Sequence, residues 1–305
     1  MYELILLLLG AVLLALVSGN NLAVCMGNAI SGRLISRRNG IALTIIGYVA
    51  GMVLEKGFFS KTLSFLLPKA GPLFVGIALA IPIALFVLSY VRRVPQSLSI
   101  IFTMSLIGIG LASHEAVDLQ VVALIIMFWI FVPLASFVLM VLLMRATSRA
   151  LRNKFSWRKL RLLKMLVILS SFFVSFTLGA NTLGFIYNLL PSTQYTLPVI
   201  TLSIALGAAL LSGSVLRRTG TDIMAIRYLN AFSSQAISVI FVEFATIFGV
   251  PISNSQTFVS SIYGAAISYR SRLILKKPFF AIIYSWTSAA IVSIIAGYLA
   301  ASLLA

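Results

Sequence analysis

The chain has 305 residues, of which 61% are hydrophobic and only 10% are charged, and its mean hydropathy is +1.10. A soluble domain carries about a quarter charged residues, so this chain has too little polar surface to coat itself in water. Several runs of about 18 or more residues with few charges indicate helices that span a bilayer. The composition therefore excludes a soluble globular protein and predicts a lipid-embedded one.

The net charge of +17 arises from 23 basic and 6 acidic residues. A nucleic-acid-binding protein gathers its basic residues on one face of a soluble domain. Here they lie in short gaps between apolar runs, which is the pattern of the positive-inside rule for cytoplasmic loops. We expect a lipid bilayer as the partner of this surface, and no nucleic acid.

Ten apolar segments follow one another along the chain. They cover 2–30, 40–54, 72–91, 96–112 and 119–144, then 164–190, 195–214, 229–248, 252–268 and 278–304. The first is interpreted as a membrane helix, because it starts with Glu3 and lacks the cleavage site of a signal peptide. The segments 40–54, 96–112 and 252–268 are short for a full crossing, so tilted or re-entrant helices are expected among them.

A basic linker, 145–163, separates the first five segments from the last five. With residues 145–164 in the cytoplasm and one crossing per segment, 20 basic residues fall inside and only Lys56, Lys61 and Lys69 fall outside. Five crossings per half make the second half enter from the opposite side, as in the inverted repeats of secondary transporters. The expected fold is an all-α, multi-pass protein of the cell (plasma) membrane, with inverted repeats 1–144 and 164–305 and both termini outside.

Two motifs occur once in each half. Ser18–Leu22 is echoed by Gly179–Leu183, and Val94–Ser99 is echoed by Val250–Ser255, in the same order and at offsets of 161 and 156 residues. Matched order and spacing indicate an internal repeat.

The first motif places amides and hydroxyls beside glycines in the middle of apolar runs. Polar groups are costly in hydrocarbon unless they are partnered, so they either join helices or line a polar cavity. We expect a helix that is broken or loosened at membrane depth in both halves. The second motif follows Pro251 and precedes an apolar helix, which predicts a buried helix N-terminus with free N–H groups suited to an oxyanion.

Together these motifs give a set of candidate anion-binding residues, although each residue taken alone is also explained by ordinary helix caps and interhelical hydrogen bonds. The candidates are Asn20, Asn21, Asn28, Asn181, Thr182, Ser97, Ser99, Ser253, Asn254, Ser255, Gln256 and Thr257.

No residue set supports catalysis, a cofactor or a metal site. The single histidine, His114, is expected in an external loop with Glu115 and Asp118. There is no Walker-type glycine loop, so transport would run on an ion gradient, by exchange or downhill. Glu243 is the one acid well inside a predicted span, and it either binds a coupling proton or cation or lies near the outer boundary.

At these motifs the sequence resembles the inorganic phosphate transporter (PiT) family, whose halves each carry a GANDVANA-type and a PVSTTHT-type motif. Ser18–Gly32 and Gly179–Tyr187 resemble the first motif, and Pro251–Thr257 resembles the second. The resemblance implies a symporter in which a small anion binds between the halves and is coupled to sodium ions or protons. It also implies that Asn20 and Asn181 match the family's amides.

The departures from the family pattern all remove titratable groups. The family's aspartates fall at Asn21 and Thr182, its histidine at Gln256, and two acids of its helices at Tyr48 and Gln235. Hydrogen phosphate can donate a hydrogen bond to a carboxylate, whereas sulfate only accepts. A neutral site is therefore permissive for sulfate, and the loss of acids removes sodium ligands. Gln235 joins Glu243 as an ion-coupling candidate.

Three functions follow from these features. The leading one is a permease for inorganic phosphate that works by alternating access, with sulfate or another oxyanion as the alternative substrate. A non-transporting membrane scaffold or sensor that acts through the basic linker is the alternative from another class. A membrane-embedded enzyme ranks third, because no nucleophile, base and acid occur together. A homodimer is compatible with the sequence.

Overall fold

The fold is all-α in a computed structural model that describes residues 1–67, 71–92, 97–113, 117–150, 157–212, 228–268 and 276–304. A 3₁₀ turn, Lys56–Phe59, follows α2, and a π-helical segment, Gly179–Leu183, follows α7. The helices are α1 (Tyr2–Ser31), α2 (Arg37–Glu55), α3 (Ser60–Leu66), α4 (Pro72–Arg92), α5 (Leu98–Ala112), α6 (Leu119–Ala150), α7 (Trp157–Leu178), α8 (Gly184–Tyr187), α9 (Thr196–Leu210), α10 (Tyr228–Ile247), α11 (Asn254–Ser268) and α12 (Lys276–Ser302).

All ten predicted segments correspond to helices, since α3 and α8 are short continuations of α2 and α7. Within the described residues, six helical spans are long and apolar enough to cross a membrane, while α4, α5 and α9 are shorter apolar helices. The prediction that 40–54 is short is wrong, because the 3₁₀ turn and α3 extend this span to 30 residues, Arg37–Leu66. The segments 96–112 and 252–268 are indeed short helices of 15 residues each.

The described part of the predicted linker, 145–150 and 157–163, is helical. Helix α6 continues to Ala150 and α7 begins at Trp157, so several basic residues assigned to a connector lie on the ends of two long helices. Residues 151–156, like His114 and Glu115, lie outside the described part of the chain.

Helix contacts occur in matched pairs between the two halves. Helix α1 packs against α9, and α7 with its π-helical segment packs against α2. Likewise α5 packs against α12, and α11 packs against α6. In every pair one helix belongs to the first half and the other to the second, at matching places in the order of each half, as expected for two related halves. The inverted orientation of the halves stays a prediction.

Helix α1 runs without interruption through the first polar motif. Ser18 Oγ lies 3.0 Å from both Ala15 O in its own helix and Ile204 O of α9, and Asn21 Nδ2 donates to Val17 O at 3.0 Å. These side chains bond to carbonyls within the helix or across it, and the α-helical ladder remains. The prediction of a broken or loosened helix in the first half is therefore wrong.

Close helix contact in the core depends on glycine at Gly51 of α2. A Cβ atom there would lie 1.9 Å from Phe176 O and 2.8 Å from Ala180 N, and both are backbone atoms of α7 and the π-helical segment. Gly179 makes the reciprocal approach, with its Cβ position 2.2 Å from Tyr48 O. Backbone cannot move aside as a flexible side chain can, so even a methyl group forces these helices apart.

Gly51→Ala is expected to lower the free energy of unfolding by about 1–3 kcal/mol, the usual cost of overpacking a core. Thermal unfolding in detergent measures this loss as a lower transition temperature. Gly57→Ala is the matched control, because nothing lies within 4 Å of its Cβ position. Equal transition temperatures for the two variants would contradict the close-contact role of Gly51.

Candidate anion site at two helix starts

The helix of the second half loosens at its polar motif, as predicted. Gly179–Leu183 forms a π-helical segment, and all five of its residues are buried. Such π-bulges widen one turn of a helix and are frequent at functional sites. The segment separates α7 from α8 in the interior of the bundle.

Asn181 joins this segment to the chain that leads into α11. Its Nδ2 donates to Thr246 Oγ1 at 2.9 Å and to Val250 O at 3.1 Å, and its Oδ1 accepts from Ile252 N at 2.9 Å. The side chain is fully buried. Asn181 therefore fixes the position of the start of α11, and both of its N–H groups are used in doing so.

The next residue, Thr182, contacts α5, the short helix of the first half. Its Oγ1 lies 3.0 Å from Ser99 Oγ in the first turn of α5. Adjacent residues of the π-helical segment thus reach the starts of α5 and α11, one from each half. The structure brings together three of the predicted residues, Asn181, Thr182 and Ser99, with the backbone of 250–252 directly before the predicted Ser253 and Asn254.

The predicted helix N-terminus after Pro251 is present, since α11 begins at Asn254. Ser253 Oγ and Ser255 Oγ lie 2.7 Å apart. Thr257 Oγ1 donates to Asn254 O at 2.8 Å, and it also lies 2.6 Å from Ser238 Oγ of α10. Ser253 and Ser255 therefore pair with each other, and Thr257 joins the first turn of α11 to α10.

Two helix starts each carry a buried polar atom without a hydrogen-bond partner among the described residues. These are Ser97 Oγ before α5, with the residue 3% exposed, and Asn254 Oδ1 in α11, with the residue 2% exposed. An unpaired buried polar group costs about 1–3 kcal/mol. Atoms in this condition beside helix N-termini are suited to a ligand that arrives from outside the chain.

Gln256 faces elsewhere. It lines a cavity of about 530 Å³ between α6, α11 and α12, together with Trp129 and Trp286. Trp129 Nε1 donates to Pro251 O at 2.7 Å, which holds α6 against the turn before α11. Its place in this separate cavity does not favour the binding role predicted for Gln256.

The asparagines of α1 are less closely joined to this centre than predicted. Asn20 is half-buried, and Asn21 bonds within its own helix. Asn28 Nδ2 is buried without a partner in the described residues. Within those residues no hydrogen bond links these three side chains to the π-helical segment, although α1 does contact α11.

Gln235 ties three helices together. Its Nε2 donates to Cys25 O of α1 at 3.1 Å and to Ser171 Oγ of α7 at 2.9 Å, and its Oε1 accepts from Ser170 Oγ at 2.8 Å. The oxygen, which is the atom that a coupling cation would need, already accepts a hydrogen bond from Ser170, and this favours a structural role over the predicted ion-coupling role. Tyr48, at the other position where the family carries an acid, donates to Ser18 O at 3.4 Å.

Glu243 has a neighbour that the sequence did not reveal. The carboxyl of Glu55, at the end of α2, lies within hydrogen-bonding reach of the Glu243 carboxyl on α10. The Oε2 atom of each is buried without a partner in the described residues. The only signal in the sequence was the scarcity of acids, six in all, of which Glu243 lies well inside a predicted span and Glu55 directly follows another.

A multi-pass helical bundle with buried, ligand-ready polar atoms at two helix starts has the features of a membrane transporter. A comparison with known families agrees, because the model of the "Phosphate transporter family" matches residues 17–297. The chain therefore belongs to the phosphate transporter family.

Two curated relatives and one solved structure are similar to the chain over most of its length. "Putative phosphate permease MJ0630" of Methanocaldococcus jannaschii is 27% identical over 293 residues, covering 96% of this chain and 95% of that protein. "Sulfate permease CysP" of Bacillus subtilis is 24% identical, covering 83% of this chain and 73% of that protein. The solved structure, "The sodium-dependent phosphate transporter", superposes with a TM-score of 0.85 at 16% identity, covering 99% of this chain and 98% of that one, which confirms the fold.

Proposed function

We propose that this chain is a permease that moves inorganic phosphate across the cell membrane by alternating access. The anion binds where the starts of α5 and α11 meet the π-helical segment. The observation that carries this proposal is the pair of unpaired, buried polar atoms, Ser97 Oγ and Asn254 Oδ1, at those two helix starts. The family and the relative named as a phosphate permease support the substrate.

The physical basis of binding is the pair of helix starts, whose free N–H groups attract an anion without a charged side chain. The first N–H groups of a helix have no intrahelical partner, and the helix dipole places partial positive charge there. Two such ends, one from each half, favour an anion without any cationic side chain. Because one end belongs to each half, movement of one half against the other would open the site to one side and then to the other.

Uptake into proteoliposomes tests this function directly. Radiolabelled phosphate and sulfate are offered with and without sodium and pH gradients, and we expect saturable phosphate uptake. Sulfate transport in place of phosphate would favour the alternative that the sulfate permease relative supports. Uptake of neither anion, with no stabilisation of the protein by millimolar phosphate or sulfate, would favour a non-transporting scaffold.

The position of two acids in the bundle favours transport that is coupled to protons. The carboxyls of Glu55 and Glu243 lie side by side on helices of different halves. Two adjacent carboxylates repel each other unless one of them carries a proton. A proton held between them would therefore bind α2 to α10 in one state and release them when it leaves. Sodium coupling is the alternative, supported by the likeness in fold to a sodium-dependent phosphate transporter.

Glu243→Gln is expected to make uptake insensitive to a pH gradient, because the amide can no longer release a proton. Phosphate exchange across the membrane without a gradient should continue, since the substitution leaves the helix starts intact. Initial rates with and without an imposed inward proton gradient measure the effect, and Asp118→Asn is the control, as Asp118 caps the exposed start of α6. An undiminished response to the gradient would argue against this carboxyl pair and in favour of another coupling route.

We further propose that residues 145–164 face the cytoplasm, in keeping with the positive-inside rule.

A further inference from the structure

The contacts of Asn254 with α7 distinguish the two ends of its amide. Its Nδ2 lies 3.4 Å from Val174 O and 3.5 Å from Thr177 Oγ1. Thr177 donates its own hydrogen to Val174 O at 3.1 Å, so the lone pairs of its hydroxyl oxygen face the amide. A flipped amide would point its oxygen at a carbonyl and at a hydroxyl that donates elsewhere. The donor end of Asn254 is therefore turned to α7, and Oδ1 is the end left over.

Oδ1 is an acceptor for which the described residues supply no donor. It is buried, on a side chain that is 2% exposed, in the first residue of a helix of 15 residues. Free N–H groups of the helix start attract an anion, but a carbonyl oxygen repels one. An anion that binds without a companion cation satisfies both kinds of group at once only if it carries a hydrogen itself.

From this geometry we infer that Asn254 Oδ1 accepts a hydrogen bond from a protonated oxygen of the bound anion, and so selects hydrogen-bearing oxyanions against fully deprotonated ones. The inference rests on the proposed function and names its substrate class. Hydrogen phosphate and hydrogen arsenate keep a hydroxyl at neutral pH. Sulfate and monofluorophosphate have a similar shape and charge but offer acceptors only.

This selection is opposite to the expectation from the motif sequences, in which the replacement of the family's acids made the site permissive for sulfate. A buried acceptor that is paired by the right substrate stays unpaired with the wrong one. Sites that hydrogen-bond a substrate hydroxyl can reject analogues without it by about 10⁴-fold or more. An uncharged acceptor gives only part of this discrimination, so we expect hydrogen-bearing anions to bind at least about tenfold more tightly than sulfate.

Competition against radiolabelled phosphate uptake at neutral pH tests the inference with four probes. Arsenate should compete about as well as phosphate, and sulfate and monofluorophosphate at least about tenfold less well. Asn254→Thr and Asn254→Ser replace the fixed acceptor by a hydroxyl that can rotate and donate. In both variants the ratio of the inhibition constants of the anions without a hydroxyl to those with one should fall at least about fivefold.

Ser97→Ala is the matched control. It removes the other unpaired group, a hydroxyl that donates as readily as it accepts, so all four anions should weaken together and the ratio should stay unchanged. Equal competition by all four anions in the unmodified protein would overturn the inference. So would an unchanged gap in both Asn254 variants, provided that their thermal transitions show them to be folded.

Thermal stabilisation of the detergent-solubilised protein by the same anions separates this inference from the proposed function. If the protein takes up no phosphate but is stabilised more by phosphate and arsenate than by sulfate and monofluorophosphate, transport is overturned and the role of Asn254 is supported. If it takes up phosphate but all four anions stabilise it equally, the role of Asn254 is overturned and transport is supported.

Discussion

Asn181→Ala is expected to reduce phosphate uptake by at least about a hundredfold, because it leaves the start of α11 without its anchor. The variant loses both donor bonds, to Thr246 Oγ1 and Val250 O, and leaves Ile252 N without an acceptor in the interior. Each unpaired buried group costs about 1–3 kcal/mol, so the thermal transition should also fall.

Asn188→Ala is the control for this prediction. Asn188 lies seven residues further along and donates to Gly184 O and Lys56 O, away from both helix starts. We expect Asn188→Ala to retain most of the uptake when equal amounts of the two variants are reconstituted into proteoliposomes. Equal loss in both variants, or near-normal uptake in Asn181→Ala, would contradict the anchoring role.

Thr182→Asp is expected to make phosphate uptake depend on sodium, because it places a carboxylate, the group that the family carries at this position, where a neutral hydroxyl now lies 3.0 Å from Ser99 Oγ. Thr182 is buried, so the charge would be poorly solvated and would repel an approaching dianion. In potassium medium we expect uptake to fall by at least about a hundredfold, and sodium should partly restore it, since a carboxylate is a preferred ligand of hard cations.

The conservative variant Thr182→Ser keeps the hydroxyl and should retain uptake. Initial rates in sodium and in potassium media measure both variants. A Thr182→Asp protein that transports phosphate at the original rate in potassium would show that the π-helical segment does not face the anion.

Hydropathy predicted the number and order of the apolar helices, because each crossing of a bilayer requires a long run of apolar residues that is visible in the sequence. The start of α11 was equally predictable, since proline followed by cap-forming residues has a local meaning that does not depend on the rest of the fold. The family resemblance, made on the same motifs, is confirmed by the match over residues 17–297.

Local pattern failed where partners from other helices decide the outcome. The motifs at Asn20 and Asn181 look alike, yet α1 stays regular while the second copy forms a π-helical segment. In α1 the carbonyl of Ile204 receives the Ser18 hydroxyl, whereas Asn181 bonds to the loop before α11. Both partners lie more than 60 residues away in the sequence, so no window of local sequence contains the difference.

The candidate site shows the same limit. Residue types predicted the polar positions, but the separate cavity of Gln256, the saturation of Gln235 and the meeting of Glu55 with Glu243 arise from tertiary packing. The orientation of the Asn254 amide depends on Val174 and Thr177 of another helix.

The location of a bound anion tests the central claim most directly. Arsenate carries a hydroxyl like phosphate, and its anomalous scattering identifies it in a crystal of the protein. We predict one arsenate between the start of α5 at Ser97 and the start of α11 at Asn254, beside the π-helical segment. Arsenate found instead in the cavity lined by Gln256, or only outside the membrane-embedded helices of a transport-competent protein, would contradict the claim.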